Sequence, residues 1–252
     1  MIPEPRNRYV SPVQAAEGVQ VDAGLRRHML GVYNYMASGL AVSGLVAFLL
    51  ARVPALQEIF FRIAETPQGP ALAPNALGFA AIIAPLLILL FGSFMINRLR
   101  VGTIQMLYWA FVALQGVGLS LLFQYYTDTS IVRTLFVTAA AFAGLSLYGY
   151  TTRRSLSAMG SFMTMGLFGL LIAMIVNMIW PAPALYFAIS AAGVLIFSGL
   201  IAWQTQAIRN EYSETMDPDM LAKSAIFSAL SLYLNFINLF QFLLSFMGSS
   251  RE

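Results

Sequence analysis

Residues 224–247 read SAIFSALSLYLNFINLFQFLLSFM, twenty-four consecutive positions without a charged side chain. At about 1.5 Å of rise per residue, such a run covers the ~30 Å hydrocarbon core of a bilayer as one α-helix. Six further runs share this character, at 29–51, 76–96, 104–125, 131–150, 161–180 and 184–203, and each has at least 20 residues. Arg133 is the one charged residue inside any of them, and it stands three residues from the start of its run, where a long side chain snorkels to the interface. The runs are too long, and too uniformly apolar, for barrel strands. In lipid a spanning segment must satisfy its own backbone N–H and C=O groups, so each run is expected to be a helix.

Composition agrees. The 252 residues are 59% hydrophobic and 10% charged, where soluble domains carry about 25% charged residues. A net charge of +3 could suggest nucleic-acid binding, but the cations are scattered singly or in pairs between apolar runs and form no basic stripe, so no nucleic-acid partner is expected. With no cysteine there is no disulfide, thiolate metal site or cysteine nucleophile.

Orientation follows from the cations. Arg6, Arg8, Arg26 and Arg27 precede span 1. Arg98, Arg100, Arg153, Arg154, Arg209 and Lys223, the last at the start of a helix, follow spans 2, 4 and 6. The opposite side holds Arg52, Arg62, Arg133 and Arg251. Ten against four predicts a cytoplasmic N-terminus and an external C-terminus. Tyr125, Tyr126, Tyr148, Tyr150, Trp180 and Trp203 lie near span ends, as interfacial aromatic residues do.

The expected organisation is a polar tail over residues 1–28, read as a flexible extension, and one seven-helix membrane domain over 29–248. The tail lacks an apolar stretch and is not a cleavable secretory signal. Pro181-Ala182-Pro183 leaves room only for a tight turn, so spans 5 and 6 should be antiparallel neighbours. The 52–75 loop is long enough for a short interfacial helix. Small residues at close-packing spacing, Gly39 with Ser43 and Ala140 with Gly144, are candidate helix contacts.

The chemistry inside the spans is sparse. The sole histidine, His28, stands at the mouth of span 1, so intramembrane Ser–His catalysis has no base. Clustered metal ligands at depth are missing, and Lys223, the sole lysine, is not placed for a deep Schiff base. Neither a cofactor nor a metal is expected, and an enzyme is not indicated. Span 7 does carry polar residues, Ser224, Ser228, Ser231, Asn235 and Asn238, within an arc of about 80° at 100° per residue. Such a stripe should face protein or water. It either glues span 7 to its neighbours through interhelical hydrogen bonds or lines a permeation path.

The run Ala229-Leu230-Ser231-Leu232-Tyr233-Leu234-Asn235-Phe236-Ile237-Asn238-Leu239-Phe240 resembles the terminal signature of the Bax inhibitor-1 family. Phe197-Ser198-Gly199 leading to Trp203-Gln204-Thr205-Gln206, at the end of span 6, resembles a second family block. Ser146-Leu147-Tyr148-Gly149-Tyr150-Thr151-Thr152 with Met159-Gly160-Ser161-Phe162 resembles a third, of the bacterial branch. The likeness runs from about residue 25 to 248. It implies a bacterial inner-membrane protein, a bundle with span 7 at the centre enclosed by the other six, and a calcium leak controlled by protonation of a close aspartate pair. For some bacterial relatives it implies instead a link to a membrane quality-control protease. The chain departs from the pattern at the site itself. Gln204 and Asn235 stand where the resemblance places the aspartates, Met95 where it places a latching arginine, and Ser155 where it places an acid after span 4. Two close carboxylates share a proton and so can switch near neutral pH, whereas amides do not titrate there. Calcium prefers hard oxygens that include carboxylates, and no Asp or Glu falls on any of the seven spans. Two functions are therefore expected to compete: a calcium-leak-like channel, for calcium or another cation, in which the proton-gated flux is weak or lost, and a non-conducting modulator of a membrane protein such as that protease. The candidate pore or latch residues are Gln204, Asn235, Asn238, Ser231 and Met95.

Overall fold

The computed structural model describes residues 12–66, 69–95 and 98–249. Helix α1 (Pro12–Arg52) is followed by α2 (Pro54–Phe60), a two-stranded hairpin of β1 (Phe61–Thr66) and β2 (Gly69–Pro74), and α3 (Ala76–Met95). Then come α4 (Val101–Ser120), α5 (Leu122–Tyr125), α6 (Asp128–Thr151), α7 (Ser157–Ile179), α8 (Pro183–Glu211) and α9 (Pro218–Met247). Six stretches of helix are long and apolar enough to cross a membrane, α4 and α5 together forming one of them. A seventh apolar helix, shorter over its described side chains, is the Ala76–Gly92 part of α3.

Helices occupy the apolar runs, and several of them outlast those runs. Of the polar tail expected over residues 1–28, residues 1–11 lie outside the described residues, and from Pro12 the chain is helical and runs unbroken into span 1. Span 6 was expected to end at 203, yet α8 continues two turns to Glu211, so Gln204 lies within the helix rather than at its end. Lys223 does not open a helix: α9 starts at Pro218, with Asp217 capping the Asp219 N–H and Pro218 in the first turn, where a missing N–H costs nothing. Span 3 is divided at Leu121, between α4 and α5.

The 52–75 segment contains the expected short helix and also a hairpin. Val53, extended ahead of Pro54, ends α1, because a residue before proline is pushed out of the α region. The strands pair antiparallel from Phe61↔Pro74 to Thr66↔Gly69. Phe61 is buried with Leu50, Ala81 and Val117. Asn75 fastens the segment at both ends: its Oδ1 accepts the Gly78 N–H at 3.0 Å, and its Nδ2 donates to the Ile59 carbonyl at 2.9 Å. At the same end of the bundle Arg52 pairs with Asp128, joining the end of α1 to the start of α6. This is the hairpin end of the bundle, and the opposite one is its arginine-rich end.

Helix α9 is the axis. It packs on α1, α4, α6 and α8, while α3 packs on α4 and α7 packs on α8. The enclosure implied by the resemblance is thus made by four direct neighbours, with α3 and α7 as an outer layer. Leu232, Tyr233, Leu239 and Leu244 on α9 are fully buried. The Tyr233 hydroxyl lies 2.6 Å from Ser43 Oγ, and Ser43 donates to the Val112 carbonyl at 2.7 Å, so α9, α1 and α4 share one chain of hydrogen bonds. Gly39 and Ser43 do sit in the α1–α4 contact, where a methyl on Gly39 would overlap the Tyr108 hydroxyl. Ala140 and Gly144 do not form a contact: both are exposed on α6.

Candidate functional site

One face of α9 lines two cavities in succession. At the arginine-rich end, α8 and α9 with the connection between them enclose about 420 Å³, bounded by Gln204, Glu211, Lys223, Ser224, Ser228 and Ser231 among others. Toward the hairpin end, α9 with α3, α7 and α8 bounds about 740 Å³. Its polar lining includes Asn177, Tyr186, Ser190, Asn235, Asn238 and Gln241, and its apolar wall includes Leu86, Leu171, Met174 and Phe197. The cavities share no lining residue. Ser231 ends the first and Asn235 belongs to the second, one turn or about 6 Å farther along α9. On α8 the buried Leu200 and Ile201 stand in sequence between Phe197, which lines the second cavity, and Gln204, which lines the first.

The stripe read from the sequence is therefore divided between two compartments. Gln204 and Ser231 meet in the arginine-rich cavity, and Asn235 and Asn238 in the other. No hydrogen bond joins Gln204 to Asn235. Asn238 donates to the Leu234 carbonyl at 2.8 Å, a bond within its own helix. The α3 backbone reaches Met95, but the Met95 side chain lies outside the described residues. Ser155 is exposed in the α6–α7 loop, where its Oγ lies 3.1 Å from that of Ser157.

The helix extensions change the electrostatics at the arginine-rich end. No acid falls within the seven apolar runs, yet the longer α8 and α9 bring Glu211 and Lys223 into the cavity lining. Lys223 is 8% exposed. The arginine-rich cavity thus carries both signs of charge at its mouth, and the cavity toward the hairpin end is lined by neutral groups alone.

Sequence reasoning passed over two polar clusters. Gln206 is 4% exposed and works as a clamp: its Oε1 accepts the Leu156 N–H at 2.7 Å and its Nε2 donates to the Arg154 carbonyl at 2.8 Å, fixing the α6–α7 loop. Tyr33, Ser146 and Thr205 form a second chain, with Tyr33 Oη 2.6 Å from Ser146 Oγ and Ser146 Oγ 3.1 Å from Thr205 Oγ1, linking α1, α6 and α8. Both clusters include residues of the quoted blocks. So does the contact of Gly160 with the Trp203 ring, where any side chain on residue 160 would collide with the indole.

A mainly helical bundle around a buried central helix, with six stretches long and apolar enough to cross a membrane, defines a polytopic membrane protein. Residues 25–252 match the family model described as "Inhibitor of apoptosis-promoting Bax1". A Caulobacter vibrioides protein is 48% identical over 236 residues, 93% of each chain. The Escherichia coli K12 inner membrane protein YbhL is 39% identical over 235 residues, covering 92% of this chain and 96% of its own. A Borreliella burgdorferi protein is 37% identical over 223 residues, 88% of this chain and 91% of its own. The chain belongs to the Bax inhibitor-1 family.

Proposed function

We propose that this protein is a non-enzymatic, channel-like member of the family, resident in a bacterial inner membrane, whose path follows the polar face of α9. Its N-terminus is in the cytoplasm and its C-terminus outside, the orientation favoured by the ten-to-four distribution of Lys and Arg. One observation carries this reading: a single helix face lines both cavities, which end one turn apart at Ser231 and Asn235. The barrier between them is short and apolar, and such constrictions close a path by dewetting. Gln204 and Asn235 flank it with neutral amides. No carboxylate stands there to share a proton or to replace the hydration oxygens of calcium, so proton-gated calcium flux is weak or lost.

The test is calcium uptake by liposomes containing the full chain, at mildly acidic and at neutral pH. Native protein is expected to give little flux and no pH step. The double substitution Gln204→Asp with Asn235→Asp, which sets one carboxylate on each side of the barrier, should raise neutral-pH flux by roughly ten-fold and lose that gain in acid as each carboxylate takes up its own proton. A strong, pH-switched flux through the native protein would refute the reading. If neither form conducts, the second reading stands: a non-conducting modulator of another membrane protein such as a protease, which the missing carboxylates favour.

A further inference from the structure

We propose that the cleft between α1 and α6 holds one anionic glycerophospholipid of the leaflet at the arginine-rich end. The two helices flank α9 and meet through the Tyr33–Ser146 hydrogen bond, and the gap between them encloses about 600 Å³. Its walls are apolar, with Met29 and Leu30 on one side and Phe142 and Leu147 on the other. It opens sideways, since Leu30 and Leu147 are 52% and 64% exposed. From Arg26 to Tyr33 it runs seven residues along α1, about 10 Å. The hydrogen-bonded Tyr33–Ser146 pair belongs to its lining, which on α6 continues one turn farther to Phe142.

Arg26 is the one charged residue in the lining, and it stands at the mouth. Among the described residues no carboxylate pairs with it. Arg209 adds a second cation nearby, its guanidinium donating to the carbonyls of Tyr150 and Thr152 where α6 ends. An apolar slot open to the bilayer, with cations where the headgroups begin, matches a phosphate above an acyl chain. Water would find few partners along these walls, and a soluble anion would leave the apolar length unfilled. The other cavities lack this combination. The small one between α3, α4 and α9 and the one between α7 and α8 hold no charged residue, the arginine-rich one carries both signs, and the one toward the hairpin end is neutral. This site is independent of any conduction along α9.

Native mass spectrometry of the full chain in detergent tests the proposal, with phosphatidylglycerol and phosphatidylcholine of identical acyl chains as probes. Phosphatidylglycerol should bind about five-fold more tightly, the worth of one cation beside an anionic headgroup. Arg26→Gln, an exposed position, should abolish that preference, while the paired control Arg153→Gln with Arg154→Gln should keep it. Ala143→Leu, which fills the slot, should reduce occupancy by both lipids, with circular dichroism confirming that the helices persist. Free glycerol phosphate should not compete. The proposal fails if the preference survives Arg26→Gln, if the control abolishes it equally, if Ala143→Leu leaves occupancy unchanged, or if free glycerol phosphate displaces the lipid.

Discussion

Helices α7 and α9 both cross the membrane-depth region without a charge in their apolar stretch, yet their surroundings are opposite. Of the six long crossing stretches α7 is the most hydrophobic and α9 the least, and the buried share is 6% for α7 against 56% for α9. In water the ordering would be reversed. Lipid rewards an apolar surface as well as a protein core does, so hydrophobicity alone does not draw a helix inward. The polar side chains of α9 line the cavities or bond within the protein, where partners or water are at hand. The exposed Phe162, Met165, Phe168 and Met178 of α7 need neither.

Substitutions that treat the two helix environments alike should break this comparison if it is wrong. The largest effect is expected at Gly149 of α6, where a side chain would overlap the Ala202 backbone of α8. Gly149→Leu should force the helices apart and cost about 3 kcal/mol or more. Gly169→Leu on α7 meets open space and should stay within about 0.5 kcal/mol of native. Unfolding in detergent measures both, and equal losses would sink the distinction. A middle-sized effect is expected from Ser43→Ala, which removes the partner of the fully buried Tyr233 hydroxyl and should cost about 2 kcal/mol. Tyr233→Phe, which removes the hydroxyl instead, should cost less, about 1 kcal/mol. If the order of these two is reversed, the hydrogen-bond chain from α9 through α1 to α4 is not what holds the centre. The smallest effect is expected from Arg52→Gln at the hairpin end. The partially exposed Arg52–Asp128 pair should contribute no more than about 1 kcal/mol, and less in high salt.

The membrane architecture was legible because the solvent enforces it: an apolar run of sufficient length has few alternatives to a helix. The ends were not legible in the same way. Beyond the hydrocarbon a helix is governed by caps and contacts, as where Arg209 near the end of α8 bonds the carbonyls of α6, or where Asp217 starts α9 well before its apolar run. The hairpin was hidden because its short strands lie in a segment rich in proline, where only the Phe61-Arg62-Ile63 alternation hints at pairing. At the candidate site, helical spacing found the polar stripe of span 7. It could not show that Ser231 and Asn235 open into different cavities, because that depends on how α8 packs on α9. Spacing was likewise blind to Gly39 and Gly144 having different fates.

Gln204 and Gln206 look alike in the sequence, two glutamines separated by one threonine, but one opens into a cavity and the other impersonates a peptide group. Residue 206 must present one acceptor to a loop amide and one donor to a loop carbonyl simultaneously. A carboxylate offers acceptors only. An acidic replacement can therefore be accommodated at 204, whereas two positions later it would set two negative oxygens against a carbonyl. The one-atom exchange of amide for carboxylate is thus open to the first glutamine and barred to the second.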